Sequence, residues 1–116
     1  MDQFAGRTAV ITGAGSCIGR GLSLRAAEEG MRCVLADVEE AALAETVAAV
    51  AATGAEVVGV PVDVRDAESV EALADLAYDR FGGVHLLCNN AGVFQAGVSW
   101  QRTVADWSWV MGVNFW

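Results

Sequence analysis

The chain has 116 residues, 54% of them hydrophobic, and a formal net charge of −8 at pH 7. This length fits a single domain, and the high apolar content is typical of parallel sheets whose strands are covered by helices on both faces. Nucleic acids are bound through clustered basic side chains, but the seven Lys and Arg residues of this chain are scattered, so we expect no nucleic-acid partner. Membranes are spanned by long apolar runs, and no such run occurs in the sequence, so we expect no membrane partner.

The first element is an apolar strand, residues 7–12, which leads directly into a glycine-rich turn and a helix. The three glycines of the turn have the spacing GxGxxxG, one residue longer than the GxGxxG of the ordinary dinucleotide-binding fold. Glycine lets the backbone approach a pyrophosphate, and the amides of the first helical turn neutralise it. We therefore predict a dinucleotide site here, with a structural turn as the alternative. Its residues are Gly13, Gly15, Ser16, Cys17, Ile18 and Gly19.

The helix after the turn carries Ile18, Leu22 and Ala26 on one face, which we expect to pack on the sheet. A second strand, Arg32–Asp37, then ends in an acid. Asp37 falls about 20 residues beyond the glycines, the offset at which a carboxylate meets the hydroxyls of the adenosine ribose. The same carboxylate would repel a 2′-phosphate, so we predict NAD as the cofactor, in preference to NADP.

The rest of the chain continues to alternate between helices and strands, which predicts parallel βαβ units. The predicted elements are a helix over 39–53, a strand over 56–62, a helix capped by Asp66 and ended by Gly82, and a strand over 84–88. Ligands of such sheets bind outside the carboxyl ends of the strands, where the strand order reverses. Asp63 and Asn90 directly follow two of these strand ends.

Four segments of the chain, in this order, resemble a known family: Thr12–Gly19, Asp63-Val64, Asn89–Gly92 and Asn114. Together they resemble the first half of a classical short-chain dehydrogenase/reductase. The resemblance covers the whole chain, and the Asn-Asn-Ala-Gly run is its most specific part. It implies a Rossmann-like, doubly wound α/β fold, of which the chain carries the first four parallel strands with their helices. It also implies an NAD(P)-dependent oxidoreductase that transfers hydride between nicotinamide and a small-molecule alcohol or carbonyl substrate, and that forms a homo-oligomer.

The resemblance assigns roles to residues beyond the glycine turn. Residues that match Asp63 and Val64 contact the adenine in that family. The backbone of Asn90, Ala91 and Gly92 lines the adenosine and nicotinamide-ribose side of the cofactor. An alternative for Asp63 is that its carboxylate caps the next helix.

The last predicted helix begins with a capping-box pattern, Thr103–Asp106. Trp107, Met111 and Asn114 follow at helical spacing, which predicts that Asn114 lies on the buried apolar face. The resemblance implies a catalytic role for Asn114, in which it sits beside the catalytic tyrosine and lysine and holds a water of the proton relay. The alternative is a core amide that kinks the helix.

The chain departs from the family in its catalytic residues. The family needs a tyrosine as general acid/base, a lysine four residues later and a serine, but this sequence has no lysine and its single tyrosine, Tyr78, is followed by Arg80 and Gly82. The sequence ends at Trp116, within the last predicted helix. We therefore interpret residues 1–116 as an NAD(P)-binding domain, incomplete at its C-terminus and inactive alone. The alternatives are a non-catalytic nucleotide-binding module and a self-associating interaction fragment.

The cysteines and the histidine do not predict a metal site. Cys17, Cys33 and Cys88 lack metal-ligand spacing and leave an odd one over, so we expect reduced thiols in a cytoplasmic protein. His85 is the only histidine of the chain. The N-terminus has no basic region followed by an apolar core, which predicts that there is no leader peptide.

Overall fold

A computed structural model, which describes residues 4–92 and 103–114, consists of alternating strands and helices. The strands are β1 (Thr8–Thr12), β2 (Arg32–Asp37), β3 (Val57–Pro61) and β4 (Leu86–Cys88), and the helices are α1 (Cys17–Glu28), α2 (Glu40–Ala51), α3 (Ala67–Phe81) and α4 (Val104–Asn114). The strands form one sheet in the order β3-β2-β1-β4, and every pairing in it is parallel. The predicted Rossmann-like α/β fold is confirmed.

The order of the strands reverses beside β1. From β1 the chain moves outward to β2 and β3, and then crosses back to place β4 on the other side of β1. All five residues of β1 are buried. The carboxyl ends of β1, β2 and β4 therefore flank a crevice of the kind in which doubly wound sheets bind ligands.

Each face of the sheet has its own core, because successive side chains of a strand point to opposite sides. Ala9 and Ile11 of β1 pack with residues of α1 and α2, while Val10 packs with Leu73 and Phe81 of α3. Helices on both faces leave the central strands no solvated side. This explains the nearly continuous apolar sequence of β1.

The buried face of α1 differs from the predicted one. Ile18 is 70% exposed and Leu22 is also exposed, so the prediction is wrong for these two residues and correct for Ala26. The buried residues of this helix are Gly19, Ser23, Ala26 and Ala27. The helix lies so close to the glycine turn that a Cβ on Gly19 would collide with the carbonyl oxygen of Gly13. Only small side chains fit on that face, whichever way the large apolar residues are spaced.

The ends of α3 and α4 follow the local signals in the sequence. The side chain of Asp66 accepts the N–H of Glu68, and Gly82 ends α3 with a left-handed φ of 79°. At the start of α4, the Asp106 N–H donates to Thr103 Oγ1 at 3.0 Å and the Thr103 N–H donates to Asp106 Oδ2 at 2.9 Å. The predicted cap, stop and capping box are confirmed.

Strand β4 is an edge of the described sheet, and Leu87 on it is 54% exposed. Unpaired strand edges with apolar side chains pair with other chains, so we expect the chain to self-associate at concentrations of tens of micromolar. Leu87→Lys should shift sedimentation velocity profiles toward monomer, because lysine on an edge strand opposes pairing. Tyr78→Lys, at an exposed position of α3, is the matched control. A wild-type chain that sediments as a monomer would contradict the prediction.

Candidate functional site

A cavity of about 460 Å³ opens where β1, β2, β3 and β4 end. Nine of the twelve residues predicted to bind the cofactor line it, namely Gly13, Gly15, Ser16, Asp37, Asp63, Val64, Asn90, Ala91 and Gly92. The fold thus brings together residues from four separate strand ends. They meet at the edge of the sheet where parallel strands place their ligands.

The other three predicted residues belong to the first turn of α1; they are Cys17, Ile18 and Gly19. Cys17 and Ile18 are exposed, and Gly19 is buried beneath the turn. The side chain of Ser16 caps this helix: its Oγ accepts the Gly19 N–H at 3.1 Å and donates to the carbonyl oxygen of Gly13 at 2.7 Å. The amides of Cys17 and Ile18 have no acceptor within the helix, which leaves them for an anion at its positive end.

The glycines of the turn leave space for neighbouring atoms of the protein as well as for a ligand. Gly13 has φ 64°, and a Cβ on it would lie 2.9 Å from Ala91 Cα and 3.0 Å from Asn90 Nδ2. A Cβ on Gly15 would lie 2.9 Å from Asp37 Oδ2. Larger residues at either position would therefore push the loop after β4, or the acid at the end of β2, away from the turn.

Asp37 is fixed by two backbone amides. Its Oδ2 accepts the Gly15 N–H at 2.8 Å and its Oδ1 accepts the Glu39 N–H at 3.0 Å. Each carboxylate oxygen has more than one lone pair, so both can still accept from a ligand hydroxyl. The next residue, Val38, is exposed and lines the same cavity.

The loop after β4 is tied to the turn by a hydroxyl that sequence reasoning missed. Thr12 Oγ1 accepts the N–H groups of Asn90 and Ala91, both at 3.1 Å, and donates to the Cys88 carbonyl oxygen at 3.3 Å. The Asn90 amide nitrogen donates to the Gly13 carbonyl oxygen at 3.2 Å. A threonine at the end of a strand gives no signal for this role, because its partners are more than 70 residues away in sequence.

Asp63 is paired with Arg65 on the turn between β3 and α3. Arg65 Nε donates to Asp63 Oδ1 at 3.1 Å, its terminal nitrogen donates to Oδ2 at 3.0 Å, and its backbone N–H also donates to Oδ1. The alternative in which Asp63 caps the next helix is wrong, because Asp66 provides that cap.

The hydrogen bonds from Arg65 hold the pKa of the Asp63 carboxyl below its ordinary value. A lowered pKa in the folded state means that the pair stabilises the fold above the ordinary carboxyl pKa, and that this contribution is lost as the pH falls through the lowered value. The pair is partly exposed, so solvent screens it and its contribution to stability is small.

Helix α4 supplies a wall of the cavity that the sequence did not reveal, formed by Trp109 and Val113. The predicted burial of Asn114 is wrong, because the structure leaves this residue exposed. The turn of α4 that approaches the fold is instead centred on Gly112, which is buried. Asn114 still lies near the site, since a Cβ on Gly92 would be 3.4 Å from its Oδ1. The side chain of Trp107 lies outside the described part of the structure.

The three cysteines are free thiols. Burial raises the pKa of Cys33 to about 11 and also raises that of Cys88, whereas Cys17 is exposed.

His85 Nδ1 accepts the Thr8 N–H at 3.0 Å and so extends the contact between the starts of β1 and β4. Within residues 4–92 and 103–114, no group of three or more His, Cys, Asp and Glu could hold a metal ion, and no helix is both long and apolar enough to span a bilayer.

Gly19→Ala should destabilise the fold, because its Cβ would enter the space of the Gly13 carbonyl oxygen. Overpacking of this kind costs about 1–3 kcal/mol in the free energy of unfolding. Gly21→Ala is the matched control in the same helix, since a Cβ there meets nothing within 4 Å. We expect it to stabilise the chain by about 0.5–1 kcal/mol in urea denaturation. Equal effects of the two substitutions would refute the packing argument.

The sequence over residues 7–116 matches the family described as short chain dehydrogenase. A crystal structure of a short-chain dehydrogenase/reductase from Burkholderia phymatum, in complex with NAD, superposes with a TM-score of 0.96 at 54% identity, covering 99% of this chain and 41% of that one.

Two curated relatives extend the comparison. The 1-deoxy-11-beta-hydroxypentalenate dehydrogenase of Streptomyces arenae is 43% identical over 112 residues, which cover 95% of this chain and 40% of the relative. The CLA biosynthesis dehydrogenase/reductase of Lactiplantibacillus plantarum is 36% identical over 114 residues, which cover 98% of this chain and 40% of the relative. The chain thus spans about two fifths of the length of each of these three proteins.

Proposed function

Because the chain belongs to the short-chain dehydrogenase family, we propose that its cavity binds NAD and that the protein transfers hydride between the nicotinamide and an alcohol or carbonyl substrate. Residues 1–116 are the cofactor-binding part of this activity. The observation that carries the proposal is the convergence of a glycine turn, a helix N-terminus and Asp37 on one cavity at the strand ends. A glycine turn at a helix N-terminus binds a pyrophosphate, and a carboxylate at the end of the next strand binds the hydroxyls of the adenosine ribose.

The lining residues fit the successive parts of a dinucleotide. The amides of the first turn of α1 would hold the pyrophosphate, and the Asp37 carboxylate would accept from the adenosine ribose. Asp63 and Val64 would border the adenine, and the loop from Asn90 to Gly92 would line the nicotinamide side. When bound, the dinucleotide supplies or accepts the hydride, and the protein positions it.

Asn114 is the residue proposed to act in catalysis. It lies beside Gly92 at the end of that loop, with its Oδ1 within van der Waals distance of a Cβ built on the glycine. From there its amide holds a water that relays the proton released or taken up at the substrate oxygen.

Calorimetric titration with NAD tests the binding site. Saturable binding is expected, and Gly15→Val should weaken it at least tenfold, because the branched side chain would displace Asp37 and block the approach of the pyrophosphate. Gly21→Ala should leave the affinity unchanged. Wild-type chain that folds but does not bind NAD or NADP would rule out the proposed site.

A second candidate is a nucleotide-binding module without catalysis. The residues that line the cavity account for nucleotide binding without any step of catalysis. Single-turnover hydride transfer in the protein with all its segments separates the two: the enzyme converts bound NAD, whereas the module only binds it.

A further inference from the structure

Arg65 lies between Asp63 and helix α4. On one side its guanidinium makes two hydrogen bonds to the Asp63 carboxylate, at 3.0 and 3.1 Å. On the other side its aliphatic stem packs against Gly112, where a Cβ would lie 2.7 Å from Arg65 Cδ and 3.1 Å from Cγ. Arg65 itself lines the cavity. One side chain therefore contacts two elements that are far apart in sequence.

Close packing against Arg65 explains why residue 112 is a glycine. Glycine is unfavourable in the interior of a helix, where alanine is the better residue. Gly112 is buried in α4, and its missing Cβ is the space that the Arg65 stem occupies. Alanine at this position would force the stem to move, and with it the guanidinium that is paired with Asp63.

The wall of the cavity depends on the same contact. Trp109 and Val113 flank Gly112 in α4 and line the same cavity as Asp63 and Arg65. The position of Arg65 thus sets how closely this wall approaches Asp63. Two hydrogen bonds in one plane fix the Arg65 guanidinium on the Asp63 carboxylate. A lysine ammonium could not make this planar pair of bonds.

We propose that Arg65 is a positioning residue, which couples α4 to Asp63 and so shapes the adenine end of the cavity. This inference rests on the proposed nucleotide site. Arg65 and α4 thus act on the adenine half of the pocket, to which neither the glycine turn nor the loop after β4 belongs.

A double-mutant cycle on the full chain tests the coupling, with AMP and nicotinamide mononucleotide as separate probes. In the wild-type background, Gly112→Ala should raise the Kd for AMP about 5- to 10-fold, the range expected when one hydrogen bond of ordinary strength is weakened. It should also lower the Tm measured without ligand. In the Arg65→Ala background the same substitution should leave the Kd unchanged and raise the Tm, because alanine then meets open space in a helix.

Three controls separate positioning from general damage. Gly21→Ala has no neighbour to displace, so it should leave the Kd for AMP unchanged in both backgrounds. The affinity for nicotinamide mononucleotide should be insensitive to Arg65 and Gly112. Arg65→Met retains an aliphatic stem without the cation and should lose AMP affinity, whereas Arg65→Lys should recover part of it.

Equal effects of Gly112→Ala in the two backgrounds would overturn the coupling, and so would wild-type AMP affinity in Arg65→Met. An equal loss of affinity for both probes would overturn the assignment to the adenine end. If the wild-type chain binds neither probe, the proposed function and the adenine role both fail. The Tm cycle, measured without ligand, then still decides whether Arg65 couples α4 to Asp63.

Discussion

Residues 1–116 should bind NAD and catalyse no hydride transfer at a useful rate by themselves. General acid–base assistance contributes roughly 10²- to 10⁴-fold to such reactions. This chain has no lysine, and its single tyrosine, Tyr78, is near the C-terminal end of α3. That end of the helix leads back to the start of β4, so Tyr78 lies at the opposite end of the sheet from the cavity. The 116 residues therefore lack the tyrosine–lysine pair that would donate a proton to an alkoxide held against the nicotinamide.

The measurement pairs NAD binding with the oxidation of a panel of secondary alcohols. The chain is assayed alone and with a complementing segment that carries a serine and Tyr-x-x-x-Lys. Activity should appear only with the complement, and Asn114→Ala should reduce it because the water relay loses its anchor. Ser108→Ala, at an exposed position of the same helix, is the control and should retain activity. Robust turnover by the chain alone would overturn both the incomplete-domain interpretation and these roles.

The second prediction is that NAD binds more tightly than NADP. The Asp37 carboxylate is held at the cavity by the amides of Gly15 and Glu39, where it would face a 2′-phosphate on the adenosine ribose. Two such charges about 4 Å apart repel by up to roughly 4 kcal/mol at an effective dielectric near 20, and solvent at the open cavity reduces this figure. The nearby cation Arg65 is already paired with Asp63.

Substitutions at positions 37 and 38 test the origin of this preference. Asp37→Ala with Val38→Arg should narrow or reverse it, since the repulsion is removed and a cation is added at the exposed position 38. Asp37→Asn with Val38→Arg is the better-matched variant, because asparagine keeps an oxygen that can accept the Gly15 N–H. The dissociation constants of both cofactors are compared in each variant. Tighter binding of NADP than of NAD by the unmodified chain would refute the role of Asp37.

Local signals in the sequence were sufficient for the order of the elements and for several of their ends, although β4 is shorter than the predicted strand over 84–88. Strand β2 was predicted at its observed bounds, and the cap at Asp66, the stop at Gly82 and the capping box at Thr103 all formed as predicted. These features depend on neighbours within one turn, so the sequence contains all the partners. The glycine turn was also readable, because its spacing reflects a backbone approach that only glycine permits.

Contacts between distant segments were decided by the tertiary structure. Periodicity favoured Ile18 as a buried residue of α1, but the close approach of that helix to Gly13 buries Gly19 instead. Asn114 was expected inside and is exposed, because the residues packed around a helix, and not its spacing alone, determine which face is covered. The contact between Arg65 and Gly112 forms because α4 crosses beside the end of β3, and no signal in the sequence indicated it. Local chemistry thus determined which residues could form the site, whereas packing between elements distant in sequence determined which residues lie together.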